Sequence, residues 1–476
     1  MKRPAMRFAA AALLLALGGC AVNPATGERQ LSFVGEGQEI AMGRDADPGI
    51  VAQMGLYPDS AVQRYVRDLG LRMAAVSERP ELPWTFRVLD DPTVNAFALP
   101  GGYIYITRGI LTHLTSEAQL AGILGHEIGH VTARHSVNQM SRSQLAQVGL
   151  IVGMVVSETV REYGGLAVQG LGLLTLSYGR GDELQADELG LRYMTRLGYD
   201  PSELAGVMEM LARNSELSAG EGGRVPEWLS THPNPENRVE RILAGIDAAP
   251  DYASASTVAA EPFMRRIDGM VFGEDPRQGY VADGIFHHPD LAFRFDVPTG
   301  WGLFNGRQAV QLGPEDGTGA VQLSVVQGSP EEAARALGAR DNVQVGSSRS
   351  GTVNGLEALT TPFRATSQDG EVAGEATWIR HGDLTYQFLS FSSTTGWQRF
   401  GPRAREVVES FQPETDPAVL GAVPLMVAVV TLPDALPWDT FLQRYPSEVE
   451  DPVVAVINQV QVGGRVPAGP AKRVAR

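Results

Sequence analysis

Ser116-Glu117-Ala118-Gln119-Leu120-Ala121-Gly122-Ile123-Leu124-Gly125-His126-Glu127-Ile128-Gly129-His130 is the stretch that decides the fold. Leu120, Leu124 and Ile128 recur at i, i+4 and i+8, a spacing that predicts a helix with one apolar side. Ser116 followed by Gln119 fits a capped helix start, with a hydroxyl at the N-cap and an amide three residues on. His126 and His130 are four apart, so both imidazoles rise from one helix face. That face lies about 200° round from the Leu/Ile stripe at 100° per residue. The helix can therefore bury its apolar side while holding two imidazoles toward a cleft, with Glu127 at a neighbouring azimuth. Such a set suits one divalent cation, zinc above all, and Glu127 could orient and deprotonate a water activated by it. The plainer alternative is a pair of helical histidines making ordinary hydrogen bonds.

A catalytic zinc usually takes three protein ligands. Downstream, Ser177-Tyr178-Gly179-Arg180-Gly181-Asp182-Glu183-Leu184-Gln185-Ala186-Asp187 puts Glu183 and Asp187 four apart on a predicted second helix. Glu183 would supply a carboxylate oxygen. Asp187 would accept the distal N–H of a ligand histidine and fix its tautomer. A solvated acidic helix face has the same spacing.

Four pieces stand in one order: Asn95-Ala96-Phe97-Ala98-Leu99-Pro100-Gly101-Gly102, the His126–His130 box, Glu183-x-x-Ala186-Asp187, and Ser230-Thr231-His232-Pro233 followed by Arg238. In that ordered set, across Ser32 to Asp247, the chain resembles the HtpX/BepA-type zinc endopeptidases. These are gluzincins, grouped with the CAAX-prenyl endopeptidases and the mitochondrial Oma proteases. Gln185 departs from the pattern where an acidic residue is common, and Gly181 loosens the approach to Glu183. The resemblance implies that His126, His130 and Glu183 hold one Zn²⁺, with Glu127 as general base and then proton donor to the leaving amine. It implies Asp187 behind a ligand histidine, and Asn95 and Arg238 in substrate binding or regulation. His232 would either contact substrate or cap the zinc as a fourth, inhibitory ligand; in a bland reading, His-Pro-Asn-Pro is turn chemistry. The strand-like run through Tyr103-Ile104-Tyr105-Ile106 lies in the region that, in the related enzymes, offers an edge to which an extended peptide can add. The implied activity is hydrolysis of misfolded or misassembled envelope proteins. The alternative is a chaperone-like assembly factor with latent or minor proteolysis.

The amino end reads as a processing segment. Lys2, Arg3 and Arg7 precede a short apolar run from Phe8 to Leu17, and Leu17-Gly18-Gly19-Cys20 resembles a bacterial lipobox. The run is far short of the ~20 residues that span a bilayer. Cys20 is the only cysteine, which excludes internal disulfides; the lipobox resemblance implies lipidation there, the alternative being an ordinary cleaved signal peptide with an incidental cysteine. Acyl chains there would tether a periplasmic protein to a membrane, with Ala21 fitting the outer-membrane pattern. The formal charge is −16, three units more negative without Lys2, Arg3 and Arg7. A polyanion of this kind binds nucleic acid poorly and is repelled by anionic lipid surfaces, which argues against both as partners.

At 476 residues with 43% hydrophobic content the chain can bury more than one core. We divide it into a leader over 1–19, a lipidated tether over 20–34 and a metallopeptidase domain over 35–250. An α+β domain over 262–415 and a small tail over 423–476 follow. The fold class is α+β: a mainly helical zincin-type domain with a small sheet, then the second α+β domain. A helix from Ser60 carries Val62, Val66, Leu69 and Met73, and 84–89 alternates as a strand should. The apolar stretch from Leu145 to Leu176 suits buried core helices, and Ala248–Glu261 reads as an Ala/Ser-rich linker. Strands over 291–297, 321–325 and 385–389, with helices over 330–337 and 400–411, make the second domain. His287 and His288, before Pro289, read as turn residues. The tail faintly resembles a LysM module, a small fold that often binds peptidoglycan, with Trp438 replacing the usual glycine before Asp439-Thr440.

Overall fold

The helix predicted from Ser116 runs over Glu117–Thr132 in the computed structural model, which describes residues 20–141, 178–220, 228, 232, 238–367 and 370–476. The leader over 1–19, the stretch 145–176 and residues 233–237 of the predicted turn lie outside the described residues. The chain divides into two units. One holds Met1–Val51, Gly55–Gly273 and Leu425–Arg476; the other holds Ala52–Met54 and Glu274–Pro424. Among the described residues no helix is long and apolar enough to cross a membrane.

The described part of the first unit begins with a hairpin of β1 (Cys20–Val22) and β2 (Arg29–Leu31), within the 20–34 segment read as a lipidated tether. The hairpin region is tied down: Asn138 Nδ2 donates to Gln30 Oε1 at 2.6 Å, and Phe33 N donates to Ser141 Oγ at 3.2 Å. Then come α1 (Glu36–Met54), α2 (Ser60–Ala75), β3 (Thr85–Leu89), β4 (Ala96–Leu99), β5 (Tyr103–Thr107), α3 (Arg108–His113) and α4 (Glu117–Thr132). Farther on lie α5 (Arg180–Arg196), α6 (Ser202–Gly220), α7 (Arg238–Asp247) and α8 (Ala260–Ile267). The stripe Val62, Val66, Leu69, Met73 is buried, as are Leu120, Leu124 and Ile128. Ser116 Oγ accepts from Gln119 N, but the Gln119 side chain accepts from Thr115 N, one residue earlier than a capping box requires.

The small sheet runs β3-β5-β4, with β5 parallel to β3 and antiparallel to β4. The Tyr103 run is thus the central strand, and β4, directly after Asn95, is an edge. Alternation shows that a segment is a strand; it says nothing of its place in a sheet.

Helix α5 crosses α4 backbone to backbone. A Cβ on Gly125 would stand 3.0 Å from Gly190 Cα, and one on Gly129 would stand 3.1 Å from Ala186 O. Side chains at those positions would force the helices apart. The glycines between the histidines and their neighbours therefore set how near Glu183 and Asp187 come to His126 and His130.

Two boundaries differ from the sequence reading. The expected linker continues into α8, whose Phe263, Met264 and Ile267 are buried in the main core. The tail forms β6 (Met426–Leu432), α9 (Trp438–Arg444), α10 (Asp451–Ile457) and β7 (Gly469–Ala475), with β6 and β7 paired antiparallel. It has its own cluster around Leu432, Trp438, Phe441 and Val454, yet belongs to the same unit as α4. Lys472, fully buried, donates from Nζ to Thr112 O and Leu114 O, each at 2.8 Å. Gln119 and Gln459 exchange amide hydrogen bonds at 2.7 and 2.9 Å. These pairings are too distant in sequence for any local pattern to announce.

His113 lies in this joint. Burial pushes its pKa down to about 4, against a hydrogen bond to Gly109 O, with Lys472 adding to the fall. Its folded pKa is below its unfolded one, so its contribution is complete above pH 6.5 and lost as pH falls toward 4. We expect about 3 kcal/mol of acid destabilisation from this residue. Urea midpoints across that window should fall less steeply in His113→Asn.

In the second unit an antiparallel sheet has the spatial order Val343–Val345, Leu356–Ser367, Gly370–His381, Leu384–Ser393, Gly319–Val326, Ala309–Pro314, Trp301–Asn305. Neighbouring residues serve opposite faces, as the pleat requires. Trp378 packs with Ala333 and Leu337 of helix Pro330–Gly338, while Ile379 joins Phe400, Ala404 and Val407 of helix Trp397–Ser410. His287 and His288 correct a turn assignment: they end strand Ile285–His288, and His287 Nδ1 lies 2.6 Å from Glu414 Oε2. That partner is 127 residues away.

Candidate active site

His126 and His130 project from the last turns of α4, and Glu183 from the first turn of α5. Their donor atoms, with those of His232, form one buried group in which all lie within 4.8 Å of one another. His126 Nε2 and His130 Nε2 are 3.0 Å apart. Glu183 reaches both, with Oε2 3.6 Å from His126 Nε2 and Oε1 3.5 Å from His130 Nε2. His232 Nδ1 stands 3.4 Å from His126 Nε2 and 3.0 Å from Glu183 Oε1. Ligand atoms around a tetrahedral zinc with bonds of ~2.0–2.1 Å are about 3.3 Å apart. The measured separations of 3.0–3.6 Å are near that value, and the whole group lies within 4.8 Å.

Unpartnered atoms point the same way. Both oxygens of Glu127, Oε2 of Glu183 and Nε2 of His232 are buried without a hydrogen-bond partner. Orphaned polar groups in a dry interior are expensive, and a cation with its water would satisfy them. The donor set therefore fits one metal ion.

Beneath the donors lies an electrostatic support. His126 Nδ1 is 2.9 Å from Asp187 Oδ1. Arg238 forks onto Asp187, with Nε to Oδ2 and Nη2 to Oδ1 at 2.6 Å each, and its Nη1 lies 3.2 Å from Glu183 Oε2. Burial works to raise the Asp187 carboxyl, but the guanidinium outweighs it and holds the pKa at about 2. Glu183 is also lowered: burial opposes ionisation, and His232, His126 and Arg238 overcome it. Glu127 goes the other way, raised chiefly by burial with Glu183 adding to the rise. His130 is pushed well below its ordinary value by burial and by the neighbouring His126 and His135.

The structure thus brings together His126, Glu127, His130, Glu183, Asp187, His232 and Arg238. Asn95 is not among the converging donors. It is buried at the entry to β4, its backbone N donates to Thr107 Oγ1, and its Oδ1 has no hydrogen-bond partner. Cys20 begins β1.

Three contributors were not singled out from sequence. Tyr178 stacks on His130 with ring centroids 3.9 Å apart, and Trp228 stacks on His232 at 4.3 Å. His135 Nδ1 lies 2.9 Å from His130 Nδ1. A third histidine within ten residues of His126 was the available signal for His135; no local spacing signals the two aromatics.

Residues 60–245 match peptidase family M48. The chain is 30% identical over 247 residues to the beta-barrel assembly-enhancing protease of Yersinia pestis, covering 50% of each protein. It is 29% identical over 224 residues to the protein of that name from Escherichia coli (strain K12), covering 45% of each. Identity to the mitochondrial metalloendopeptidase OMA1 of Schizosaccharomyces pombe is 29% over 229 residues, covering 46% of this chain and 64% of the relative. The chain spans about half the length of the bacterial relatives it matches.

Proposed function

With a peptidase family M48 domain over residues 60–245 as the premise, we propose that this chain is a zinc-dependent endopeptidase of the bacterial cell envelope. One observation carries the reading: three donors from two helices meet in one buried group beside the Glu127 carboxylate, which has no hydrogen-bond partner and only His232 Nε2 near it at 3.7 Å. His126, His130 and Glu183 would hold the ion. When bound, it would acidify a water and polarise the scissile carbonyl. Glu127, buried beside the donors, would take a proton from the attacking water and return it to the leaving amine. Asp187 accepts from His126 Nδ1, which leaves Nε2 free as a donor. Arg238 keeps Asp187 ionised and oriented.

Substrates are extended segments of misfolded or misassembled envelope proteins, laid along β4 from Asn95. The edge position of β4 and the unpartnered Asn95 Oδ1 support this, as does the similarity to proteases named for β-barrel assembly. Lipidation at Cys20 would tether the protein to the periplasmic face of the outer membrane.

His232 favours a second reading, an assembly factor whose proteolysis is latent. Its Nδ1 lies 3.4 Å from His126 Nε2 and 3.0 Å from Glu183 Oε1, near enough to serve as a fourth ligand that water and substrate would have to displace. Casein hydrolysis separates the readings. We expect cleavage that a chelator abolishes and stoichiometric zinc restores, faster in His232→Ala. Zinc-loaded wild type and His232→Ala that both leave casein intact would overturn the endopeptidase.

A further inference from the structure

His130 has its own support, built differently from that of His126. We propose that His135, with Gln185 and Asn23 behind it, is the positioning residue that fixes the tautomer of His130; the proposal rests on the metal-site reading above.

The direction of every hydrogen bond in this line follows from one backbone group. Ala25 N can only donate, and it donates to Asn23 Oδ1 at 2.8 Å. Asn23 must then present Nδ2 on its other side, and Nδ2 donates to Gln185 Oε1 at 3.3 Å. That amide oxygen can only accept, and it also lies 2.9 Å from His135 Nε2, which must therefore carry the proton. A neutral His135 is left with Nδ1 as an acceptor, 2.9 Å from His130 Nδ1. His130 places its proton there, and its Nε2 lone pair faces the other donors. The line Ala25–Asn23–Gln185–His135–His130 thus transmits one polarity into the site. Gln185, the departure from the acidic residue common at this position, supplies an uncharged acceptor.

The backbone is shaped to make this contact. His135 follows His130 by five residues, which does not align two side chains on one helix face. Helix α4 ends at Thr132, and Arg134 adopts φ +58°, the left-handed region that costs a non-glycine residue about 1–2 kcal/mol. That conformation is held by the buried Arg134 guanidinium, which donates to Glu39 Oε2 at 3.0 Å and Val34 O at 2.7 Å. Arg79 clasps Glu39 from the other side at 2.8 and 3.1 Å. The reversal returns the chain so that His135 faces back onto His130.

The test is zinc affinity by chelator competition in the full chain, with melting of the metal-free protein measured alongside. His135→Leu removes the acceptor and should weaken zinc ~10–100-fold, the usual effect of losing such a partner. His135→Asn sets an amide oxygen near the former Nδ1 and should stay within about threefold of wild type by the same reasoning. Nitrogen chemical shifts of His130 in the metal-free protein should report the Nδ1–H tautomer in wild type and His135→Asn, and a mixture in His135→Leu. Wild-type affinity in His135→Leu would overturn the proposal. So would equal zinc loss in both variants in step with lowered melting, which would make His135 a packing residue. A wild type that binds no stoichiometric zinc would instead remove the metal-site reading itself.

Discussion

Glu127→Gln is expected to retain one zinc per chain while peptide hydrolysis falls by at least ~10³-fold, within the range assigned to a positioned proton-transfer group. Glu127 is not one of the four converging donors, so the amide leaves the ion's protein ligands intact. Its two oxygens are buried without a hydrogen-bond partner, beside the donors and 3.7 Å from His232 Nε2, which places them to act on a water in the group. An amide of the same shape cannot accept the proton. Metal analysis and casein turnover on one preparation check both halves, and substantial residual activity would sink the assignment. Loss of zinc in this variant would point instead to a ligand role for Glu127.

The second large effect concerns Arg238→Ala. The guanidinium is buried and touches two buried carboxylates, Asp187 at 2.6 Å and Glu183 at 3.2 Å. Removing one partner from a buried ion pair leaves uncompensated charge and typically costs about 3–5 kcal/mol. For a unit of this size that is a fall in melting temperature of roughly 10 °C. Zinc should restore part of the loss, because a dication relieves Glu183 but not Asp187. Calorimetry with and without metal tests this; an unchanged melting temperature in the metal-free variant would contradict it.

The centre of the site was legible because its parts are local. The i, i+4 pair, the apolar stripe and the serine N-cap all follow from one helix, and they locate His126, Glu127 and His130 without reference to the rest of the chain. Glu183 and Asp187 needed the family resemblance, since an acidic pair four apart is common on solvated helices. What sequence did not reveal depends on distant pairing. Lys472 meets Thr112 and Leu114, and His287 meets Glu414, across gaps no periodicity spans. His135 was missed for a subtler reason: its contact runs through a left-handed turn at an arginine, a conformation that residue type disfavours. The tail was read as a separate module because its strands and helices form a local pattern, whereas its attachment rests on Lys472, Gln459 and the backbone pairing of Val427 with Met270.

That attachment bears on timing. The carbonyl oxygens of Thr112 and Leu114, just ahead of the helix that carries both histidines, accept from the amine of buried Lys472, a residue some 360 positions later. The setting of helix Glu117–Thr132 is therefore completed by a contact that forms only once residues far apart in sequence have been brought together.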